Sequence, residues 1–427
     1  MSISGLPART AAQKILSDVL RKRRPLDAAL AATGPLEARD AGFARVIASE
    51  TLRRLGQLDA LIRTYVPKPP ARNRAGSTPE ILLAGACELM FLDVAAHAAV
   101  DAANRLAQAD DKAMHFKSLI NAVLRRVARE GKEVVAGQDA ARLNTPDWLW
   151  RRWLETYGEE TTRAIAFAHL GVPPLDIVTK SGPPGVPDAS HLFGQVWRLD
   201  EPVRVDTLRG YVEGDWWVQD GAATLPVHLL GDVRGKSVID LCAAPGGKTA
   251  QLAAAGARVT GVERDGMRME RLRENLQRLR LDADLIAEDA RDFHPKELAP
   301  FVLLDAPCSA TGTIRRHPEL PWIKDASNVT ACAGAAGDLL DAAADMTAKD
   351  GLLVFAVCSL EREEGPEQVA EFLLRRPEFS RQAIVPQEIF GLGELIDANG
   401  DLRTLPCHLA QRGGMDGFYA ARLRRRS

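Results

Sequence analysis

The chain is predicted to fold as a doubly wound, mostly parallel α/β sheet preceded by an all-α bundle, with a small α+β insert between them. Three observations carry this. Apolar residues recur at helical spacing through the first third. Short strand-like runs broken by Pro- and Gly-containing loops fill the middle. From Val218 onward strand-like and helical segments alternate, the pattern of βαβ units in a parallel sheet. The expected domains are 1–138, 139–215 and 216–427.

In the front, Ala11 to Leu20 is amphipathic. Arg39 to Tyr65 places Phe43, Val46, Ile47, Leu52, Leu55, Leu58, Leu61 and Ile62 at helical spacing along the whole stretch. Thr78 is expected to cap a helix with Pro79 in its first position. Ala98 to Ala107 and Lys117 to Ala128 complete the bundle. The basic, Pro-containing stretch Pro67 to Ser77 reads as a connector, with contact to RNA as the other possibility. Residues 1–135 hold 21 Lys and Arg against 14 Asp and Glu, a net +7, which leaves −9 for the remainder. A basic front on an acidic back is the asymmetry of a chain that docks on phosphates locally, although solvated Arg-rich helices look the same.

Asn144-Thr145-Pro146 opens a new region. Pro146 to Ala168 reads as helix, with Trp148, Leu149, Trp153 and Leu154 among its apolar positions. Leu175 to Lys180, Val196 to Leu199 and Val203 to Val205 read as short strands. Behind them come strand-like runs at Ser237–Leu241, Arg258–Glu263, Ala283–Glu288, Phe301–Ala306 and Leu352–Cys358. Helical patterns follow at Thr249–Ala255, Met267–Leu281, Ser327–Met346 and Pro366–Arg376. In such sheets ligands bind beyond the carboxyl ends of the strands.

Composition sets the outer bounds. The chain has 427 residues, 46% hydrophobic and 26% charged, an ordinary globular balance. It has no apolar run long enough to span a bilayer, and Met1 to Lys14 lack the apolar stretch of a secretory signal. The six cysteines are sparse and form no CxxC pair, which argues against a disulfide framework or a structural zinc. Reduced thiols in a cytoplasm and no metal are expected.

The segment Asp240-Leu241-Cys242-Ala243-Ala244-Pro245-Gly246-Gly247-Lys248-Thr249 follows the first strand of the alternating region. Its small residues let backbone pass close to a ligand, and the next helix offers free N–H groups. A P-loop would need Gly where Cys242 stands, and no GxGxxG is present. The remaining reading is a pocket for S-adenosylmethionine. Glu263, ending the next strand, would hold the ribose hydroxyls, and Asp289 would accept from the adenine amino group. Acids at strand ends also cap helices, so each alone says little. With Asp305, three stand at successive strand ends.

Asp305-Ala306-Pro307-Cys308 follows the fourth of these strands, and Cys358-Ser359 the fifth. A lone Cys in such a turn is usually a small buried hydrophobe. Two facing thiols beside a carboxylate fit the needs of methylation at carbon 5 of a cytosine. That carbon is a poor nucleophile. Thiolate addition at carbon 6 makes it enamine-like. An acid near ring nitrogen 3, here Asp305, offsets the charge that the addition creates. The base must leave its stack to reach the pocket. The residues alone do not decide which thiol attacks.

DLCAAPGGKT, DAPCSATG and CSLEREEG, in this order and spacing, resemble the Sun/Nop/Nol family of RNA cytosine-5 methyltransferases. Glu213-Gly214 with Gln219-Asp220, and Met415-Asp416-Gly417-Phe418-Tyr419, add to the likeness, which covers about residues 145–425. The front resembles a NusB-like RNA-binding domain at His97-Ala98-Ala99-Val100 and at Leu119-Ile120-Asn121-Ala122-Val123-Leu124-Arg125. The resemblance implies a Rossmann-like class I methyltransferase sheet and S-adenosyl-L-methionine as cofactor. It implies an RNA partner, 16S ribosomal RNA first, and a cytoplasmic monomer with no membrane role. Cys358 matches the nucleophile and Cys308 a second thiol that assists product release. Cys242, Ala243, Ala244, Pro245, Gly246, Gly247, Lys248, Glu263, Asp289 and Asp305 match cofactor positions, with Asp305 also facing the base. Val357 replaces the usual Thr, and Gly266 is expected to delay the helix after Glu263. Transfer RNA as substrate, or a non-catalytic RNA-binding scaffold, are the alternatives.

Three weaker candidates remain. Arg315-Arg316-His317 would clamp phosphates beside the base or form a plain solvated turn. Trp216-Trp217 would stack bases or pack in the core. Cys407-His408 lacks the further ligands of a metal site.

Overall fold

The structure is a computed structural model and describes residues 5–70, 74–199 and 203–426. Residues 71–73 of the basic connector lie outside the described residues. The chain forms two compact units. The first comprises 1–171 and a later excursion, Ile314–Asp325. The second comprises Val172–Thr313 and 326–427.

The first unit is helical: α1 (Leu6–Lys22), α2 (Leu26–Ala31), α3 (Ala38–Arg53), α4 (Leu55–Tyr65), α5 (Thr78–Phe91), α6 (Ala96–Gln108), α7 (Lys117–Ala136), α8 (Ala140–Leu143) and α9 (Asp147–Ala168), with α13 (Leu320–Ile323) in the excursion. Leu58, Leu61, Ile81, Ile120, Leu124 and Val127 form one core between α4, α5 and α7. The excursion is anchored by Trp322 Nε1, which donates to Leu52 O at 2.9 Å, and by Glu319, whose Oε1 accepts from Leu26 N at 3.3 Å.

Three features of this unit depart from the sequence pattern. The stretch from Arg39 to Tyr65 is two helices, broken at Arg54. The start of α4 is capped from far away in the chain, by Asn144 Oδ1 accepting from Gln57 N at 3.1 Å. A Cβ on Gly56 would fall 1.8 Å from the Leu143 carbonyl oxygen, so this approach needs glycine. Val46 is 49% exposed and not in the core. The N-cap position of helix α5 falls one residue earlier than expected, at Ser77, whose N–H donates to Asp110 Oδ2 at 3.0 Å. The side chain of Ser77 makes no cap hydrogen bond, and the Thr78 hydroxyl has no partner among the described residues.

The second unit holds two sheets. The small one has the order β2-β3-β1-β4, from β1 (Leu175–Thr179), β2 (Ser190–Phe193), β3 (Val196–Leu199) and β4 (Trp216–Val218). Val203–Val205 is not a strand. Its last residue opens a 3₁₀ turn, Val205–Thr207, and a run this short has no apolar face to bury. Trp216 and Trp217 lie on β4 at 0% and 4% exposure, so they pack the core and stack no bases. The buried pair Asp176 and Arg198 fixes this sheet to the loop before the last strand. Arg198 Nε and Nη2 donate to the two Asp176 oxygens at 2.6 and 2.8 Å, and Nη1 donates to Gly414 O at 2.8 Å.

The large sheet contains β5 (Ser237–Leu241), β6 (Arg258–Val262), β7 (Asp284–Ile286), β8 (Ala299–Asp305), β9 (Thr347–Val357), β10 (Phe379–Arg381), β11 (Leu402–Thr404) and β12 (Phe418–Arg425). The order is β10-β12-β9-β8-β5-β6-β7, with β11 paired to β12. Strands β5 to β9 are parallel, and β12 runs antiparallel beside β9. The accompanying helices are α10 (Gly221–His228), α11 (Gly247–Ala254), α12 (Gly266–Leu279), α14 (Ala326–Met346) and α15 (Pro366–Arg375). This is a doubly wound Rossmann-like sheet, as the alternation predicts. Gly266 does not delay α12. It is that helix's first residue, because Asp265 caps it by accepting from Met267 N and Arg268 N. The winding direction reverses between β5 and β8, which opens a crevice at their carboxyl ends. Among the described residues no helix is long and apolar enough to cross a membrane.

Candidate active site

The loop after β5 turns sharply. Cys242 takes a left-handed conformation at φ 59° and Gly246 one at φ 105°. A side chain at Gly246 would also fall 2.4 Å from Leu272 Cδ1. Gly247 and Lys248 begin α11, whose first-turn N–H groups have no partner within the helix and no side-chain cap at Gly246. Helix α12 braces the loop: Asn275 Nδ2 donates to Pro245 O at 3.0 Å and Arg268 Nη2 donates to Ala244 O. Burial pushes the Cys242 thiol up to about 12, with the charges of Asp305 and Glu263 adding to it. Beneath the loop Asp240 is fully buried and accepts from Thr249 Oγ1 at 2.6 Å.

Glu263 follows β6 and is 3% exposed. Its Oε1 accepts from Asp265 N at 3.0 Å. Its Oε2 is buried with no hydrogen-bond partner, the Arg268 guanidinium lying 3.3 Å away. Asp289 follows β7. Hydrogen bonds from Arg291 hold its carboxyl well below the usual carboxylate range, with Arg264 contributing.

At the end of β8, Asp305 Oδ2 accepts from Lys248 Nζ at 2.7 Å, while a third of the Asp305 side chain remains exposed. The Lys248 ammonium stands 5.1 Å from the centre of the Phe418 ring. Because Asp305 pairs with Ala356 in parallel register, the loops after β8 and β9 leave the sheet side by side. The sulfurs of Cys308 and Cys358 lie 3.4 Å apart, both half-buried. The contact with Cys358 and burial push the Cys308 thiol well above its ordinary value. The three acids and two thiols picked out in the sequence therefore follow the carboxyl ends of the parallel strands, with Cys308 against Cys358 and Asp305 against Lys248, while Asp289 lies beyond the edge strand β7.

The two Cys loops are held from behind by the segment before β12. Gly312 N donates to Cys358 O at 3.0 Å, and Gly417 N to Gly312 O at 2.8 Å. A Cβ on Gly312 would stand 1.9 Å from the Gly417 carbonyl oxygen, so the backbones meet only because both residues lack side chains. Gly312→Ala is expected to cost about 1–3 kcal/mol of stability by overpacking, read as a lower urea midpoint, and to lower activity with it.

Matches to known families and proteins bear on this geometry. The family model described as "16S rRNA methyltransferase RsmB/F" matches residues 227–424, and that of the NusB family matches residues 6–129. The Ribosomal RNA small subunit methyltransferase B of Pseudomonas putida is 36% identical, covering 97% of this chain and 98% of its own. The enzyme of that name from Vibrio cholerae is 33% identical over 97% and 96%. The chain belongs to the RsmB/F family of rRNA methyltransferases.

As a member of the RsmB/F family it is an S-adenosylmethionine-dependent rRNA methyltransferase. The crystal structure of PH0851 shares its fold with a TM-score of 0.76 at 22% identity, covering 99% of each chain. The structure of NSun6 from Pyrococcus horikoshii matches 66% of the chain at a TM-score of 0.53. In this RsmB/F chain, the NusB match takes in α1 to α6 and most of α7. His97 and Asn104 on α6 line a groove with Arg125 and Arg129 on α7. Asn121 organises it, its Oδ1 accepting from Asn104 Nδ2 and Arg125 Nε.

The weaker candidates fall elsewhere. Arg315 belongs to the first unit and is 2% exposed, and its carbonyl accepts from Arg53 Nη1 at 2.9 Å. A residue so buried cannot reach a phosphate, which corrects the clamp reading for Arg315; Arg316 beside it is exposed. His408 Nδ1 accepts from Leu405 N at 3.1 Å. Sequence reasoning misses Ser309, Ser359 and Glu364. A signal is present, because Ser follows Cys in both loops.

Proposed function

We propose that this enzyme methylates carbon 5 of a cytosine in 16S ribosomal RNA through a covalent bond between Cys358 and carbon 6. The observation that carries the reading is the pair of sulfurs 3.4 Å apart beside the Asp305–Lys248 ion pair. The small-subunit naming of its relatives favours ribosomal over transfer RNA.

The residues present fit the cofactor. Glu263 Oε2, which accepts no hydrogen bond and is ion-paired with Arg268, suits a ribose hydroxyl, and the N–H groups opening α11 suit a carboxylate. Glu263, Asp289 and the loop 242–248 would hold S-adenosylmethionine, which supplies an electrophilic methyl group on a sulfonium. To accept from adenine, Asp289 would turn part of its carboxylate away from Arg291.

The Cys358 thiolate adds to carbon 6, forming the S–C6 bond and moving the C5–C6 π pair toward carbon 5 and nitrogen 3. Asp305, sharing a proton with Lys248, donates it in a hydrogen bond to ring nitrogen 3 and so offsets the charge on the ring. Once carbon 5 carries the methyl group, its proton passes to a base. The C5–C6 double bond then reforms and the S–C6 pair returns to Cys358. The Cys308 thiol, kept protonated, donates a hydrogen bond to the departing sulfur. The groove between α6 and α7 and the basic front would dock the RNA backbone.

The reaction is tested with unmethylated 16S RNA and tritiated S-adenosylmethionine, followed by nucleoside analysis. Label in 5-methylcytidine is expected. Label in another nucleoside, or none on either free RNA or assembling subunits, overturns the proposal.

A further inference from the structure

We infer that Glu364 is a positioning residue that holds Cys308 and Cys358 face to face and keeps the shared proton on Cys308. The inference rests on the reading of Cys358 as nucleophile. Glu364 is fully buried, one turn beyond the Cys358 loop. Its Oε1 accepts from Ser309 N at 2.7 Å and its Oε2 from Ser309 Oγ at 2.6 Å. The same Oε2 accepts from Ser359 Oγ. One carboxylate thus grips the residue that follows each cysteine. The distances are those of hydrogen bonds to an ionised acceptor.

The grip extends into the backbone. Ser359 Oγ also accepts from Glu361 N at 3.0 Å, and Thr311 Oγ1 accepts from Leu360 N at 3.0 Å. Arg403 Nη1 fixes the Ser359 carbonyl at 2.7 Å. With both loops tied to one point, the sulfurs have little freedom to separate. A buried negative charge behind the Cys308 loop also works against a thiolate there, and Glu364 is among the groups that push the Cys308 thiol up, after the Cys358 contact and burial. In the inferred arrangement Cys308 is the donor of the S···S contact, whose 3.4 Å separation admits a hydrogen bond. No oxidation or net proton change is involved. Burial also raises the carboxyl of Glu364, against the pull of the hydrogen bonds from Ser309 and Ser359.

The test is Glu364→Gln in the full chain. Turnover is expected to fall about ten- to a hundredfold, the worth of hydrogen bonds to a charged group, with KM for S-adenosylmethionine unchanged. Site-resolved iodoacetamide labelling should favour Cys358 in the parent enzyme, and that preference should narrow about tenfold in the variant. If turnover falls while the preference holds, or if neither changes, the inference is overturned. Should Glu364→Gln fail to fold, Ser309→Ala and Ser359→Ala each remove one hydroxyl from the carboxylate. A narrowed preference in either supports the inference, and an unchanged preference in both overturns it. RNA carrying 5-fluorocytosine separates the two levels. If the parent enzyme forms no adduct at Cys358, the catalytic reading itself fails. If it does, and Glu364→Gln forms the adduct equally fast, only the role of Glu364 fails.

Discussion

Under the proposed covalent reading, Cys358→Ala is expected to abolish methyl transfer, a fall of about 10⁴-fold or more, because it removes the sulfur that would add to carbon 6. Cys308→Ala should behave differently. It keeps the attacking sulfur but removes the S–H that stabilises it as a leaving group. The covalent protein–RNA species should then accumulate and appear as a retarded band on a denaturing gel. The contrast rests on the two sulfurs being 3.4 Å apart, with the Cys308 thiol pushed up by its contact with Cys358 and by burial. A trapped adduct with Cys358→Ala, and none with Cys308→Ala, would exchange the roles. Cys242 is no substitute for either. Its thiol is held at about 12 by burial and flanking acids, which leaves almost no thiolate at neutral pH.

Arg198→Met is expected to lower stability by about 3–5 kcal/mol, since it strands the Asp176 carboxylate in a site that is 4% exposed. In a unit of this size the loss corresponds to a melting midpoint about 10 °C lower, measurable by scanning calorimetry. The effect should reach the active site. Arg198 also donates to Gly414 O and Arg412 O, in the loop that leads to Gly417 and Phe418. Replacing both partners, as Arg198→Met with Asp176→Leu, should restore part of the stability because no buried charge is left alone. An unchanged midpoint in the single variant would show that Asp176 finds another partner, with Gly221 N, 2.9 Å from its Oδ2, already in place.

Much of the catalytic crevice is legible in the amino-acid sequence. Parallel strands put every strand end on one side of the sheet, so residues spaced one βα unit apart converge without detailed knowledge of packing. Glu263, Asp289, Asp305, Cys308 and Cys358 are each read this way from a local pattern. The helical front is equally plain in its apolar periodicity. Misses occur where a partner distant in the chain decides the outcome. The break at Arg54 depends on Asn144 and Leu143, and no window around residue 54 contains them. The start of α5 depends on Asp110. The segment Ile314–Asp325 follows the Cys308 loop directly and reads as part of the active-site surface, yet it packs into the helical unit through Trp322 and Glu319.

The sequence by itself determined the helical front, the doubly wound class of the sheet and the residues at the ends of its parallel strands, because these follow from periodicity and from short motifs. Only the tertiary structure decided that Glu364 reaches back to Ser309 and Ser359, that Gly312 meets Gly417, and that Asp176 and Arg198 pair across the small sheet. The physical reason is the same in each case. A buried hydrogen bond or close backbone approach between residues far apart in the chain leaves no periodic trace, and it exists only once the elements that carry them have packed.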